Sequence, residues 1–197
     1  MITDRDCSVL GRSPGLPDDV YEHDGLITKR HVRATALAHL RPRPGELLWD
    51  IGTGAASIAI EWCRAADGAT AIGIERHLGR AARARSNAAR LTQDAVRVID
   101  GPAAESLTDL PTPDAVFIGG GLAMEVLEQA MTALRPGGRM VVHGITIEAE
   151  LLCVSAHRRW GGHLSRMHVE LAQPLASLTG WTPARTVIQW VGDKGES

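Results

Sequence analysis

The chain has 197 residues, of which 44% are hydrophobic and 22% charged, and its formal net charge is −2 at pH 7. This length and composition indicate one globular domain with enough chain for a sizeable core. The small net charge argues against bulk attraction to nucleic acid, and no run approaches the roughly 18 apolar residues that a transmembrane helix needs.

The N-terminus and the cysteines indicate the compartment. The first six residues, Met1 to Asp6, lack the basic and then apolar order of a signal peptide. The three cysteines are odd in number and show neither zinc nor disulfide spacing, which is typical of a reducing cytosol. We therefore predict a cytoplasmic protein without a metal site and without a membrane or nucleic-acid partner.

The chain begins with turn-forming residues and then shows a helix signal. Residues 1–14 are predicted to be a linker or N-terminal tail, residues 15–192 a single domain and residues 193–197 a C-terminal tail. Thr28 is predicted to cap a helix that runs to about Leu40, with apolar residues on one face.

Strands and helices alternate from Leu47 onward. The predicted strands are Leu47–Ile51, Thr70–Glu75, Val96–Asp100, Ala115–Ile118 and Arg139–Gly144. The predicted helices lie near Ser57–Ala65, Leu78–Leu91, Leu122–Leu134 and Ile147–Trp160. The strands are continuously apolar, which predicts an α/β fold with parallel strands covered on both faces. Two further strands are predicted without a long helix between them, joined by a Pro- and Gly-containing loop, and should form an antiparallel edge pair: His163–Leu171 and Thr186–Val191.

The loop after the first strand, in the sequence Asp-Ile-Gly-Thr-Gly-Ala-Ala, is the first candidate site, because ligands bind beyond the carboxyl ends of such strands. Glycines let the backbone approach a ligand, and the next helix offers free N–H groups to an anionic group. An acid two residues before the first glycine would repel a pyrophosphate. S-Adenosylmethionine has a sulfonium, an ammonium and a carboxylate but no phosphate. We therefore predict a methyl-donor site formed by Asp50, Gly52, Thr53, Gly54, Ala55 and Ala56.

Two more strand ends extend this candidate site. Glu75 ends the second strand, where an acid can bind both ribose hydroxyls, although a solvated glutamate is the alternative. Ser57 stands where a dinucleotide fingerprint has Gly or Ala, which weakens an oxidoreductase interpretation. Small residues around Ala103, after the third strand, would leave room for adenine, although a plain turn explains them as well.

Candidate substrate and catalytic residues follow the later strands. Gly119, Gly120 and Gly121 are costly in backbone entropy and are explained by a bulky substrate close to the main chain, or by a flexible loop. A proton-transfer set is proposed for His143, Thr146 and Glu148. A satisfied core histidine and a glutamate favoured by the helix dipole are the alternatives.

Other polar and aromatic residues allow two interpretations each. Trp181, placed in the predicted loop, could meet a flat ligand, although packing is the default for tryptophan. Lys29 and Arg30 would face the cleft. Four arginines of one helix are interpreted as a solvated outer face: Arg80, Arg83, Arg85 and Arg90.

The chain resembles the decarboxylating precorrin-6 methyltransferases of cobalamin biosynthesis from about residue 15 to residue 192. The Asp-Gly-x-x-Thr-Lys segment carries this resemblance more specifically than the glycine loop, which many families share. The matching segments are Gly15–Asp19, Asp24–Lys29, Asp50–Gly54, Val116–Gly120, Leu134–Arg139 and Gln189-Trp190.

The resemblance implies a class I S-adenosylmethionine-dependent fold, methylation at carbon 15 of a precorrin-6 tetrapyrrole and decarboxylation of its ring C acetate. It implies donor contacts from Thr28, the loop from Gly52 to Ala56, Glu75 and Ala103, to which we add Gly119. Pro102 stands where an acid is common, so one adenine hydrogen bond is missing. Substrate carboxylates need cationic partners, and Arg158 is nominated beside Lys29 and Arg30.

The resemblance also implies partners. In the bifunctional relatives this module is the C-terminal half, so a fused or separate carbon-5 methylase domain and a homo-oligomer are expected. The alternatives are another class I methyltransferase acting on RNA or a small molecule, a non-catalytic donor-binding module and a nicotinamide-dependent oxidoreductase. Whether the substrate holds cobalt is left open by the sequence.

Overall fold

The computed structural model describes residues 10–196 and has a seven-stranded sheet. Five of its strands are parallel and have the predicted bounds: β1 (Leu47–Ile51), β2 (Thr70–Glu75), β3 (Val96–Asp100), β4 (Ala115–Ile118) and β5 (Arg139–Gly144). The order across the sheet is β3-β2-β1-β4-β5-β9-β6, which is a Rossmann-like order with β1 at its centre. The predicted parallel α/β sheet is confirmed.

Six helices cover the sheet on both faces. They are α1 (Arg30–Leu40), α2 (Ser57–Ala65), α3 (Leu78–Thr92), α4 (Ala103–Ser106), α5 (Met124–Ala133) and α6 (Ile147–Trp160). Helices α1 to α3 pack on one face, around Trp62 and Phe117, and α4 to α6 on the other, around Trp49 and Trp190. Helix α4 is too short to give a periodic signal in the sequence.

The predicted cap of the first helix is wrong. Helix α1 begins at Arg30, and its N-cap residue is Lys29, which makes no capping hydrogen bond through its side chain. Thr28 lies just outside, and its carbonyl oxygen accepts a hydrogen bond from the Arg33 guanidinium instead.

The C-terminal part confirms the antiparallel edge pair and corrects the loop. Strand β9 (Val187–Asp193) lies between β5 and β6 (His163–Met167) and is antiparallel to both. The connection between β6 and β9 is a hairpin of β7 (Glu170–Leu175) and β8 (Leu178–Pro183), which forms a second sheet. The hairpin was missed because Pro, Gly and Thr interrupt its apolar pattern.

The structure also bears on the two predicted tails, residues 1–14 and 193–197. Strand β9 includes Asp193, and the backbone of Lys194 hydrogen-bonds to Gly138, so this end is packed on the sheet. Most of the linker predicted over residues 1–14 lies outside the described residues. Within residues 10–196, no helix has both the length and the apolar character needed to cross a membrane.

One edge of the sheet gathers the loops that carry the candidate residues. Parallel strands end together, so the loops after β1, β2, β4 and β5 share the carboxyl edge. Strand β9 begins and β6 ends there, since Gly144 pairs with Ile188 and Met167 with Val187. The β7–β8 hairpin therefore leaves from the same edge as the candidate donor loop.

A buried ion pair fastens the segment that precedes α1. We call residues 15–29 the strap. The Arg33 Nε donates to Glu61 Oε1 at 2.7 Å, and both side chains are almost fully buried. Glu61 also accepts hydrogen bonds from the Gly15 N–H at 2.6 Å and the Tyr21 hydroxyl at 3.0 Å. The remaining Arg33 donors reach Asp18 Oδ1 at 2.7 Å and two strap carbonyls, those of Leu16 and Thr28.

We predict that Arg33→Met lowers the free energy of unfolding by about 3–5 kcal/mol, because it leaves the Glu61 carboxylate buried without its cation. Urea unfolding measures this. The matched control is Arg41→Met, which breaks an exposed pair with Asp193 and should cost less than about 1 kcal/mol. The double variant Arg33→Met/Glu61→Met should recover stability relative to Arg33→Met. Equal losses for Arg33→Met and Arg41→Met would contradict the prediction.

Candidate functional site

Asp50 is a buried carboxylate that hydrogen-bonds to the glycine loop and to the start of α2. Its Oδ2 accepts hydrogen bonds from the Thr53 hydroxyl at 2.6 Å and the Ala59 N–H at 3.2 Å. Its Oδ1 is buried without a hydrogen-bond partner among the described residues. Burial, together with the nearby Glu75 charge, raises the pKa of Asp50 to about 6. Asp50 is therefore a carboxylate whose ionised form is disfavoured by burial in the absence of a nearby cation.

Asp50 also binds the N-terminus of α2, the helix that follows the glycine loop. Ala56, the N-cap residue of α2, has a left-handed backbone at φ 58° and no capping side chain. Asp50 supplies the missing acceptor from the preceding strand, at the third residue of the helix. The negative charge of Asp50 thus lies close to the positive end of the α2 dipole.

The loop N–H groups are largely occupied as well. Those of Gly52 and Thr53 donate to the Ile74 carbonyl at 2.9 and 3.0 Å. The Gly54 N–H donates to Glu75 Oε2 at 3.0 Å. A phosphate needs free N–H groups at such a turn. With its donors used and two carboxylates beside it, this loop does not suit a dinucleotide.

Gly54 marks an open gap between the loop and the strap. A Cβ placed on Gly54 would have only two neighbours within 4 Å, the carbonyl oxygens of Gly52 and Leu26, both at 3.9 Å. Carbonyl oxygens attract a cation and repel a phosphate. The gap, the unpaired Asp50 oxygen and the Glu75 carboxylate therefore fit a ligand that carries an ammonium and a sulfonium.

Gly52 and the β4 loop are in direct backbone contact. A Cβ on Gly52 would lie 2.5–2.7 Å from backbone atoms of Gly120, and the Gly52 φ is +71°. The N–H groups of Gly119 and Gly120 both donate to the Ile51 carbonyl, at 2.9 and 3.4 Å. This contact explains Gly52 without a ligand. The substrate role of Gly119, Gly120 and Gly121 stays a prediction.

Ala103 completes the edge on the β3 side. It begins α4 directly after Pro102, and a Cβ on Gly121 would lie 4.0 Å from its Cβ. The structure thus brings Ala103, the glycine loop, Glu75 and the β4 loop to one edge, with Thr28 in the strap that covers it. The individual donor contacts stay predictions.

His143 is a buried, neutral side chain rather than a solvent-facing base. Its Nε2 hydrogen-bonds to Gln189 Oε1 at 2.9 Å, and its ring makes an edge contact with Phe117 at a centroid distance of 5.0 Å. Burial lowers the pKa of His143 to about 4. Its Nδ1 is buried without a partner among the described residues.

The predicted proton-transfer set is not assembled in the structure. Thr146 is the N-cap of α6 and accepts a hydrogen bond from the Ala149 N–H at 3.2 Å. Hydrogen bonds from its own N–H and from Thr146 lower the pKa of Glu148, so Glu148 is ionised at neutral pH. These two residues interact with each other, whereas His143 bonds to Gln189.

The predicted substrate residues occupy different places. Lys29 and Arg30 lie at the carboxyl edge, where the Lys29 Nζ is 3.9 Å from Asp18 Oδ2. Arg158 does not join them. It lies eleven residues after Ile147 on α6, about 17 Å along the helix, towards the opposite edge of the sheet. Trp181 lies in β8, not in a loop, and 73% of it is exposed.

A family profile described as the precorrin methyltransferase domain matches residues 19–194. The chain belongs to this family. It is 45% identical, over 98% of its length, to a Sinorhizobium precorrin-6Y C(5,15)-methyltransferase [decarboxylating], of which it covers 47%. It is 31% identical, over 73% of its length, to a probable cobalt-precorrin-6B C(15)-methyltransferase (decarboxylating) of Pyrobaculum calidifontis, of which it covers 76%.

A solved structure from the same family has a closely similar fold. The C-terminal domain of precorrin-6Y C5,15-methyltransferase from Rhodobacter capsulatus superposes with a TM-score of 0.89 at 41% identity. The match covers 94% of this chain and all of that one. The chain spans about half the length of the Sinorhizobium relative, and the fold is that of S-adenosylmethionine-dependent methyltransferases.

In this precorrin methyltransferase domain, a second set of contacts fastens the strap to α3. Asp24 Oδ2 accepts hydrogen bonds from Arg80 Nε and Arg83 Nη2, both at 2.9 Å, and these contacts lower the pKa of Asp24 to about 2. Arg85 and Arg90 are exposed, as the solvated-face interpretation predicts, whereas Arg80 and Arg83 are only partly exposed because they bind the strap. Arg85 pairs with Asp100 and Arg90 donates to the Val20 carbonyl.

Asn87 joins the strap to the donor loop and was missed by sequence reasoning. It is fully buried, and its Nδ2 donates to the carbonyls of Glu22 at 2.9 Å and Ala55 at 3.0 Å. Its Oδ1 accepts from the Glu22 N–H at 2.9 Å. The available signal was an amide beside the apolar stripe of α3, which is formed by Ala81, Ala84, Ala88 and Leu91.

We predict that Gly54→Ala lowers affinity for S-adenosylhomocysteine at least tenfold, since its methyl group fills the gap between the two carbonyls. The fold should lose only about 1–2 kcal/mol, the cost of a left-handed alanine, which Ala56 already adopts. The control, Gly52→Ala, collides with Gly120 and should destabilise more. Calorimetric binding and urea unfolding measure the two effects. Unchanged affinity of Gly54→Ala would contradict the assignment of the gap.

We predict that Asp50→Asn changes the pH dependence of stability. The folded-state pKa of Asp50 is raised to about 6 from 3.8, so its contribution is present below pH 3.8 and is lost as pH rises through 6. Asp50→Asn should therefore gain about 3 kcal/mol relative to the parent between pH 4 and pH 7. Urea unfolding across this range is the measurement. A difference that does not vary with pH would show that Asp50 titrates normally.

Proposed function

We propose that this chain uses S-adenosylmethionine to methylate carbon 15 of a precorrin-6 tetrapyrrole and to decarboxylate its ring C acetate in cobalamin biosynthesis. The observation that carries the proposal is the glycine loop, whose N–H groups are already bonded and whose surroundings are two carboxylates and two carbonyl oxygens. Such a site selects a cationic donor over a dinucleotide. The substrate and the methylated carbon atom in this proposal are taken from the names of the relatives.

Each residue of the donor site has a separate task. Glu75, which is 5% exposed, would accept hydrogen bonds from the ribose hydroxyls while it holds the loop through the Gly54 N–H. The Leu26 and Gly52 carbonyls would face the cationic groups, and Asp50 would add its charge from below. Thr28 and Ala103 would border the donor, with Gly119 beside them. When bound, S-adenosylmethionine supplies an electrophilic methyl group.

The chain's residues can promote this reaction by orientation. A reduced tetrapyrrole has enamine-like carbons that are already nucleophilic, so the site needs mainly to align one of them with the methyl group. Orientation can supply about 7–11 kcal/mol. The electron pair released with carbon dioxide can enter the conjugated imines of the substrate. We propose that neutral His143 borders this chemistry and that Thr146 and Glu148 hold the start of α6.

We predict that Glu75→Ala weakens binding of S-adenosylhomocysteine by about 1–3 kcal/mol, because charge-assisted hydrogen bonds are lost. Calorimetric titration is the measurement. The control is Glu128→Ala, which removes an exposed acid paired with Arg159 and should leave affinity unchanged. Equal affinities of the two variants would remove Glu75 from the site.

The decisive activity test is incubation with a precorrin-6 substrate and methyl-labelled S-adenosylmethionine, followed by mass spectrometry. The expected product carries one labelled methyl group and has lost one carbon dioxide. A chain that binds S-adenosylhomocysteine yet gives no labelled product would be a non-catalytic binding module. Labelling of RNA in place of the tetrapyrrole would assign it to another class of methyltransferase.

We further propose a partner domain and a compartment. Because the chain spans about half of the Sinorhizobium relative, a fused or separate carbon-5 methylase domain would act on the same substrate. Free thiols at Cys63 and Cys153 are stable in a reducing compartment, which supports a cytoplasmic location.

A homo-oligomer is proposed from the β7–β8 hairpin. An isolated two-stranded hairpin is marginal in water, yet this one exposes Leu171, Leu175, Leu178 and Trp181. A second copy would cover this surface. We predict that Leu178→Ser/Trp181→Ser shifts the molecular mass measured by light scattering to that of the monomer, whereas Leu26→Ser, which changes an exposed apolar residue of the strap, does not. A monomeric parent chain would contradict the prediction.

A further inference from the structure

An amphipathic groove opens beside the end of β5, outside the residues that the donor site uses. It has a volume of about 450 Å³. Three isoleucines form its apolar part: Ile145, Ile147 and Ile188. Ile145 and Ile147 are 53% and 74% exposed, which is unusual for residues of this type. A ligand with a hydrocarbon body would cover them.

The cations of this groove are Arg166 and Arg185. Glu150 forms an ion pair with Arg166 and holds it at the groove wall, while the other N–H groups of that guanidinium stay available. Arg185 has no ion-pair partner among residues 10–196. One unpaired cation and one cation held by an acid give the groove a net positive charge, which suits a carboxylate.

The groove lies at the right place for a large substrate of the donor site. Gly144 at the end of β5 pairs with Ile188, so the groove shares the carboxyl edge with the glycine loop. β1 and β5 are separated by β4, and two strand spacings amount to about 10 Å. A tetrapyrrole macrocycle spans a distance of this order. One ring could therefore react at the β1–β4 loops while another rests on the groove.

We propose that this groove binds one pyrrole-derived ring of the tetrapyrrole substrate, with its hydrocarbon on the three isoleucines and a peripheral acetate or propionate on Arg185 and Arg166. This assignment rests on the proposed function. Arg185 and Arg166 would then bind the carboxylates of the substrate, which is the role that the sequence suggested for Arg158. Glu150 is a positioning residue that orients Arg166.

The test uses uroporphyrin III, a tetrapyrrole with eight carboxylates, and its octamethyl ester as probes. Binding is measured by quenching of tryptophan fluorescence for the parent chain, Arg185→Gln, Arg166→Gln and the control Arg158→Gln. We expect Arg185→Gln and Arg166→Gln to weaken binding of the acid about tenfold each, and Arg158→Gln to change it less than twofold. Binding of the ester should not differ among the four proteins.

Two further measurements separate the competing explanations. Affinity for S-adenosylhomocysteine should be equal in all four proteins, and with the precorrin substrate Arg185→Gln should raise KM and leave kcat unchanged. Equal binding of uroporphyrin III by Arg185→Gln and Arg158→Gln would overturn the groove assignment. A change of oligomeric state in Arg185→Gln would also overturn it, since Arg185 would then belong to a subunit interface. Arginine-dependent porphyrin binding without methyl transfer would retain the groove and reject the proposed function.

Discussion

The structure depends on a carboxylate that is buried without a cationic partner among the described residues. Asp50 stands at the centre of the sheet, satisfies the N-terminus of α2 and leaves one oxygen unpaired. An isolated buried charge is costly, which is why burial raises its pKa. We propose a functional use for that cost, because a cationic ligand near Asp50 would relieve it and a phosphate would increase it. In the proposed donor site, this charge acts together with the Glu75 carboxylate and the Leu26 and Gly52 carbonyls.

The strap gives the site its second wall. Three sets of contacts hold the strap: the buried Arg33–Glu61 pair, the hydrogen bonds of Asn87 and the ion pairs of Asp24. The Asp24 contacts are partly exposed, so salt weakens them more than it weakens the buried Arg33–Glu61 pair. Together these contacts hold the Leu26 carbonyl close to Gly54.

The sequence predicted most of the sheet and little of the strap. The five parallel strands were predicted correctly because each is a short, mostly apolar run between turn residues. The glycine loop was proposed as a donor site from its glycines and acids, but the direction in which Asp50 points was not predicted, because strand register decides which face a side chain takes. Arg33 and Glu61 look like ordinary helix-surface charges along the chain, and only tertiary structure brings together residues 28 positions apart. The groove cations Arg166 and Arg185 were missed for the same reason, whereas hairpin β7–β8 was missed because its apolar pattern is interrupted.

The central claim is that the ionised Asp50 attracts the cationic donor, and proton release measures it most directly. Calorimetric titration of S-adenosylmethionine near pH 6, in two buffers of different ionisation enthalpy, gives the number of protons exchanged on binding. The account predicts that protons are released, because the bound cation lowers the raised pKa of Asp50, and that Asp50→Asn abolishes the release. Proton uptake, or release that persists in Asp50→Asn, would contradict it.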